Sequence, residues 1–122
     1  RETLNRSNVM DYEFYLERRE AIRQNLKDAV NASKDVMPFM RAYNAYEAIR
    51  CNWNERVREI TSQHTFDKKV DAFLKEERRY MTAWMRLMKE FHKLTGCYLL
   101  DDCDDTAICW AVNTEMSEYV GK

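Results

Sequence analysis

The residues best suited to metal chemistry are three cysteines near the C-terminus. Cys97, Cys103 and Cys109 follow one another at six-residue steps, and His92 lies five residues before the first. Three thiolates and one imidazole form a legitimate tetrahedral ligand set for zinc. The close C-x2-4-C pairs that make such a set compact are absent, so we expect no bound metal. We interpret these cysteines and Cys51 as free thiols, with zinc or, in an oxidising compartment, disulfides as the alternatives.

An acidic cluster in the same region consists of Asp101, Asp102, Asp104 and Asp105. A helix–loop–helix calcium site needs alternating oxygen ligands, a glycine at the sixth position and a glutamate at the twelfth. Counted from Asp102, those positions hold Ala107 and Asn113, so the spacing does not fit. Carboxylates are favourable at the N-terminus of a helix, and we therefore expect this cluster to cap the last helix.

Few residues are suited to catalysis. Only His64 and His92 are histidines, and neither has an orienting carboxylate at a recognisable spacing. A phosphate-binding loop needs several close glycines, whereas the chain has two in all. Glu90 and His92 are two residues apart and fall on different faces of a helix, unlike the Glu-x-x-His pairs of di-iron bundles. We predict that the chain is not an enzyme, with no catalytic residues and no cofactor.

We expect long helices to position the residues named above. The chain has 122 residues, of which 45% are hydrophobic and 34% charged, with two glycines and one proline. This composition predicts one globular domain, residues 1–122, that is rich in helix. We expect an all-α, elongated antiparallel three-helix bundle with a short fourth C-terminal helix. The chain would begin with a loose lead over residues 1–9, and apolar periodicity places the helices at about 11–33, 38–62, 66–95 and 105–119.

Proline and glycine support these boundaries, since Pro38 suits the first turn of a helix and Gly96 suits the position after its end. One apolar line runs along the second helix from Ala42 through Tyr46 and Trp53 to Ile60. Another runs along the third helix from Phe66 to Leu94 and includes Val70, Phe73, Met81 and Trp84. We expect the tryptophans at positions 53 and 84 to be buried because both lie in the middle of these lines.

A second set of large apolar residues lies off these lines and consists of Phe14, Met40, Tyr43, Tyr80 and Leu87. A bundle of this size cannot bury them all unless the fourth helix or another chain covers a second surface. We interpret the set as an interaction face. We predict that the chain is a helical domain, either a fragment of a longer protein or a small adaptor or effector, that binds another protein or itself.

The third helix also carries a basic row, made of Lys68, Lys75, Arg79, Arg86, Lys89 and Lys93. Such a row is usually a solvated face, but it is also the pattern of a helix that follows a phosphate backbone. The net charge of −1 argues against a general attraction to nucleic acid. A nucleic-acid-binding domain is therefore an alternative, and a disulfide-stapled secreted or surface domain is another. We favour an intracellular location and expect no transmembrane segment, since the longest apolar run, from Ile108 to Val112, is short.

A charged residue interrupts the apolar line of the third helix. Glu77 lies between Phe73 and Met81, and Arg50 borders the line of the second helix at the same predicted level. A lone buried carboxylate is costly, so we expect Glu77 to form a salt bridge with Arg50 or with Arg19 of the first helix in a buried polar layer. The alternative is that each charge lies at a margin and reaches water.

Overall fold

The computed structural model describes residues 2–63, 66–100 and 104–121, and within them the regular secondary structure is entirely helical. The helices are α1 (Glu2–Asn31), α2 (Met37–Gln63), α3 (Phe66–Thr95) and α4 (Asp104–Glu115), followed by a short 3₁₀ turn at Ser117–Tyr119. The prediction of an all-α fold with a short fourth helix is confirmed. In the described part of the chain, no helix is both long enough and apolar enough to cross a membrane.

Two of the predicted boundaries are wrong. The expected loose lead is part of α1, which already begins at Glu2, because no glycine or proline before Asp11 interrupts it. The last predicted helix, 105–119, ends at Glu115 because Met116 leaves the helical conformation with φ −135° and ψ 27°. The side chain of Met116 is fully buried, and a 3₁₀ turn follows it.

The end of α1 has the geometry of a Schellman motif. Ser33 adopts a left-handed conformation with φ 56°. Its backbone N–H donates to the Val30 carbonyl at 3.0 Å, and the Lys34 N–H donates to the Ala29 carbonyl at 3.1 Å. These bonds satisfy carbonyls that the end of a helix leaves unpaired. Gly96, with φ 75°, follows the end of α3 in the same region of backbone conformation, as the sequence predicts.

The chain divides into two compact units, and the expected single domain stays a prediction. The first unit contains residues 1–36 and 91–122, and the second contains residues 37–90. In the first unit α1 packs against α4. The Arg18–Asp104 and Arg23–Glu115 ion pairs advance along both helices together, so α1 and α4 run in the same general direction. Helix α4 is buried on most sides, with Ala107, Ile108, Cys109, Ala111 and Val112 all in the core.

The second unit is a helical hairpin of α2 and most of α3. Tyr46 contacts Trp84 and Tyr80, whereas Trp53, further along α2, contacts Tyr80 and Phe73. Contacts that advance along α2 therefore move backwards along α3, which makes the two helices antiparallel. These helix pairs fit a helical bundle, in keeping with the predicted fold class.

Candidate functional site

Aromatic side chains join α2 to α3 in the second unit. The ring centroids of Tyr46 and Trp84 are 5.2 Å apart, and those of Trp53 and Phe73 are 6.0 Å apart. Tyr80 lies between these pairs, 5.4 Å from both Tyr46 and Trp53, and its hydroxyl is 2.9 Å from that of Tyr46. Trp84 is buried, as predicted, but Trp53 is only half-buried. The aromatic contacts make this part of the hairpin a well-packed support for the surfaces beside it.

Charged side chains close one edge of the same hairpin. Arg56 donates to Glu76 at 3.0 Å and to Glu59 at 2.6 Å, and Arg79 lies 3.7 Å from the second oxygen of Glu76. The hydrogen bonds that Arg56 donates to Glu76 and Glu59 raise the pKa of its guanidinium above the ordinary value. Glu76 is buried, so these cations compensate its charge. The cleft beside them has a volume of about 280 Å³, and these four paired charges form part of its lining.

An exposed apolar strip runs along the middle of α3. It consists of Val70, Leu74, Met81 and Met85, whose exposed fractions are 44%, 45%, 47% and 63%. Because a helix turns by about 100° per residue, these positions lie within about 60° of one another around α3. Glu77 and Arg78 border this arc on its two opposite sides. Large apolar side chains gathered on one exposed arc mark a surface that another molecule can cover.

A groove lies between this apolar strip and α2. Its volume is about 330 Å³, and it is lined by Arg50, Trp53, Asn54, Glu77, Tyr80 and Met81. The rings of Trp53 and Tyr80 and the thioether of Met81 supply apolar surface, and the charged and amide groups supply hydrogen-bonding partners. Such a mixture can accommodate an inserted side chain of a partner or a small molecule.

No family model, curated protein or solved structure matches the chain. The chemistry of its own side chains is therefore the basis for assigning a role to this surface.

The predicted interaction face is wrong in its composition. Met40, Tyr43 and Leu87 are fully buried, and Tyr80 is half-buried under its aromatic neighbours. Phe14 is exposed, but it belongs to the first unit. The prediction assigned one narrow buried line to each helix, whereas the core reaches further round these helices and takes in residues beside the lines.

The predicted buried polar layer is also wrong. Glu77 is exposed, and Arg50 instead binds Glu47 of its own helix through two bonds of 3.0 and 2.9 Å. The Arg19 guanidinium lies over the ring of Trp110. The buried carboxylate of α3 is Glu76, one position earlier. A single residue step rotates a side chain by about 100°, which turns Glu76 towards α2 and leaves Glu77 beside the apolar strip.

The basic row of α3 faces solvent. Its residues Lys68, Lys75, Arg79, Arg86, Lys89 and Lys93 are all exposed. The row lies roughly 40° to 180° around the helix from the members of the apolar strip. Of these cations, Arg79 also forms the 3.7 Å ion pair with Glu76 described above. A role for this row in binding phosphate groups stays a prediction.

In the first unit, Arg18 and Asp104 form the main polar contact between α1 and the start of α4. The Arg18 guanidinium donates to the Asp104 carboxylate at 2.5 and 3.1 Å and to the Tyr98 carbonyl at 3.0 Å. The same carboxylate accepts the Leu100 N–H at 2.6 Å and is fully buried. These bonds anchor the segment before α4 to α1, which is a structural role.

Rings and cations of the first unit also contact one another. The Arg19 guanidinium lies 4.2 Å from the centre of the Trp110 ring, and its Nε is buried without a hydrogen-bond partner in the described structure. The His92 ring stacks on that of Tyr98 with centroids 4.1 Å apart. His64, the other histidine of the sequence analysis, lies outside the described residues.

Three cysteines lie among the described residues, and none of the three forms a disulfide. Cys51 and Cys97 are exposed, and Cys109 is buried. Cys103 lies outside the described residues, so the four-ligand zinc set is not tested as a whole. Among the residues that are described, no group of three or more histidine, cysteine or acidic side chains could hold a metal ion.

The sequence analysis missed the exposed strip because it assigned Val70 and Met81 to the core. A signal for the strip was present, since Leu74 and Met85 lie on the same side of the helix as those two residues. Together with the buried line through Trp84, they make the apolar arc of α3 wider than one neighbouring helix covers.

Proposed function

We propose that this chain is a non-catalytic helical domain that binds another protein through the apolar strip of α3. The observation that supports the proposal is the exposure of Val70, Leu74, Met81 and Met85 on one arc of a long helix. Covering large apolar side chains is the main source of favourable free energy in protein association.

The surroundings of the strip support the same role. Tyr46 and Trp84 are buried in the contact between α2 and α3, so the helix that carries the strip is backed by a packed layer. A surface that is already held in place loses little conformational entropy when a partner binds. The groove beside Trp53 and Tyr80 offers a pocket for an anchoring side chain.

A nucleic-acid-binding domain is the second candidate, and the exposed basic row of α3 favours it. Six cations on one side of a helix can contact successive phosphates, and such binding weakens steeply as salt is added. The disulfide-stapled alternative has less support, because the described cysteines Cys51, Cys97 and Cys109 form no disulfide.

Adjacent positions on α3 give a matched test of the two candidates. Leu74→Glu places a carboxylate on the apolar strip, and Lys75→Glu places the same group on the basic row. Both residues are exposed, so both variants should keep the helical circular dichroism of the wild type. Proteins captured from the native source would be identified, purified and bound again to each variant.

We expect L74E to weaken the binding of a purified partner at least tenfold and K75E to leave it unchanged. The reverse pattern, in which only K75E weakens binding and added salt abolishes it, would support the nucleic-acid candidate when the captured molecule is DNA or RNA. A partner whose affinity neither substitution changes would contradict the proposal.

A further inference from the structure

We propose that the groove between α2 and α3 binds an arginine side chain of the partner protein, with the guanidinium against the rings of Trp53 and Tyr80 and paired with the Glu77 carboxylate. The inference rests on the proposed function and names the chemical group that the groove recognises. The aromatic surface of the groove, the sign of its available charge and its position beside the apolar strip all favour this ligand.

The rings of Trp53 and Tyr80 give the groove an aromatic surface. Both side chains are half-buried, and their ring centroids lie 5.4 Å apart with the ring planes inclined at 57°. Trp53 also contacts Phe73, with centroids 6.0 Å apart. The hydroxyl of Tyr80 forms a 2.9 Å hydrogen bond with that of Tyr46. Neighbouring side chains therefore hold both rings in place, and the faces of aromatic rings attract cations.

The charge available in the groove is negative. Glu77 is exposed, and in the part of the chain that the structure describes no ion pair engages its carboxylate. Arg50 lines the same groove but is bound to Glu47 through two bonds of 3.0 and 2.9 Å. An anionic ligand would have to share Arg50 with Glu47 and would lie beside a second carboxylate, that of Glu77. Charge complementarity therefore favours a cationic ligand.

Among the cations that protein side chains carry, the guanidinium of arginine fits this groove best. It is planar, so it can lie against a ring while its N–H groups form two parallel bonds to a carboxylate. A lysine ammonium is more strongly hydrated and therefore loses more when it leaves water. The chain already contains one contact of this kind, in which the Arg19 guanidinium lies 4.2 Å from the centre of the Trp110 ring.

The position of the groove lets one partner segment occupy both the groove and the strip. Met81 belongs to the strip and also lines the groove. Glu77 borders the strip on the side of the groove, whereas Arg78 borders it on the opposite side. A partner that lays apolar side chains on Leu74 and Met81 therefore meets the Glu77 carboxylate at the edge next to α2. Arginine is enriched among the residues that dominate the binding energy of interfaces, and such residues usually fill a pocket.

Two small probes test the groove before any partner is known. Nα-acetyl-arginine amide carries the guanidinium, and Nα-acetyl-citrulline amide has an uncharged urea of nearly the same shape in its place. Each would be titrated into the ¹⁵N-labelled full chain up to the millimolar range, with the indole N–H resonances of the three tryptophans as reporters. The Trp53 resonance should shift until it saturates, whereas those of the other two tryptophans, which do not line the groove, should move little.

We expect the arginine probe to bind at least tenfold more tightly than the citrulline probe, because citrulline lacks both the ion pair and the attraction between cation and ring. Glu77→Gln should weaken binding of the arginine probe about fivefold and leave that of the citrulline probe unchanged. Asp71→Asn is the matched control and should change neither, since Asp71 is an exposed carboxylate of the same helix outside the groove. Nα-acetyl-lysine amide should bind several-fold more weakly than the arginine probe.

Four outcomes would overturn the inference. The first is a Trp53 resonance that does not move with the arginine probe. The second is equal affinity for the arginine and citrulline probes, since the groove would then not recognise charge. The third is an equal effect of E77Q and D71N, which would show that the general charge of the surface attracts the probe. The fourth is a lysine probe that binds as tightly as the arginine probe, since the groove would then accept any cation.

Binding of a purified partner separates this inference from the proposed function. If the arginine probe does not bind but L74E weakens the binding of a partner, the arginine site is wrong and the interaction role stands. If the probe binds at Trp53 but L74E changes the affinity of no partner, the groove binds guanidinium groups and the role of the apolar strip is wrong. If both proposals are right, E77Q weakens the binding of the same partner as L74E, and D71N does not.

Discussion

Replacing Asp104 with alanine should destabilise the first unit strongly. The carboxylate is fully buried and accepts three hydrogen bonds, two from Arg18 and one from the Leu100 N–H. Leaving the Leu100 N–H without an acceptor costs about 1 to 2 kcal/mol. Breaking a fully buried ion pair costs about 3 to 5 kcal/mol, but the Arg18 side chain is 23% exposed, so water can replace part of its bonding. We expect a total loss of about 3 kcal/mol for D104A.

The assay is urea unfolding followed by circular dichroism, applied to D104A, R18A and the double variant. Arg18→Ala leaves the buried carboxylate with only the Leu100 N–H and should cost at least as much as D104A. The double variant removes both charges, so its loss should be smaller than the sum of the single losses by about 1 to 3 kcal/mol. Arg23→Ala is the matched control, because Arg23 also joins α1 to α4 and is as exposed as Arg18, but its partner Glu115 is partly exposed whereas Asp104 is fully buried. It should lose far less stability. A loss below about 1 kcal/mol for D104A, or strictly additive single losses, would show that the reasoning about burial is wrong.

Two further predictions concern the second unit. Trp84→Ala should cost about 3 to 5 kcal/mol, as expected for a buried aromatic side chain, and Trp53→Ala should cost less because Trp53 is half-buried; equal losses in thermal unfolding would contradict this difference. The Cys51 thiol donates to a Glu47 oxygen at 3.2 Å, and this bond, with a smaller contribution from burial, raises the pKa of the thiol above its ordinary value. Thiolate formation therefore moves to higher pH, and Glu47→Gln should speed alkylation of Cys51 at pH 8 several-fold, measured by mass spectrometry, with an unchanged rate counting against the carboxylate as the cause.

The helical fold was predictable because the residues that begin and end its helices act locally. Pro38 and Gly96 constrain the backbone through their own covalent structure. Helix α2 begins beside Pro38, and α3 ends beside Gly96. The end of α1 was predicted less accurately, at residue 33 instead of Asn31. There Ser33 takes the left-handed conformation that glycine usually supplies, and no residue type in the sequence signals that substitution.

The exposed surface was less predictable because it depends on tertiary packing. Periodicity shows that α3 is apolar over a wide arc, but it does not show which part of the arc faces α2. The Glu76 and Glu77 pair illustrates the difficulty, since one step along the helix decides between a buried, paired carboxylate and an exposed one. The composition of the predicted face failed for the same reason, as the burial of Leu87 shows.

The burial of Cys109 in α4 gives the first unit an intrinsic reporter of its motions. A thiol-labelling reagent can reach Cys51 and Cys97 in the native state, whereas it can reach Cys109 only when the packing around α4 opens. Its labelling rate, divided by that of an exposed thiol, measures how often this opening occurs and hence the local free energy of that event. Asp104 anchors the beginning of the same helix. Removing its hydrogen bonds should therefore raise the labelling rate of Cys109 even under conditions in which the chain as a whole stays folded.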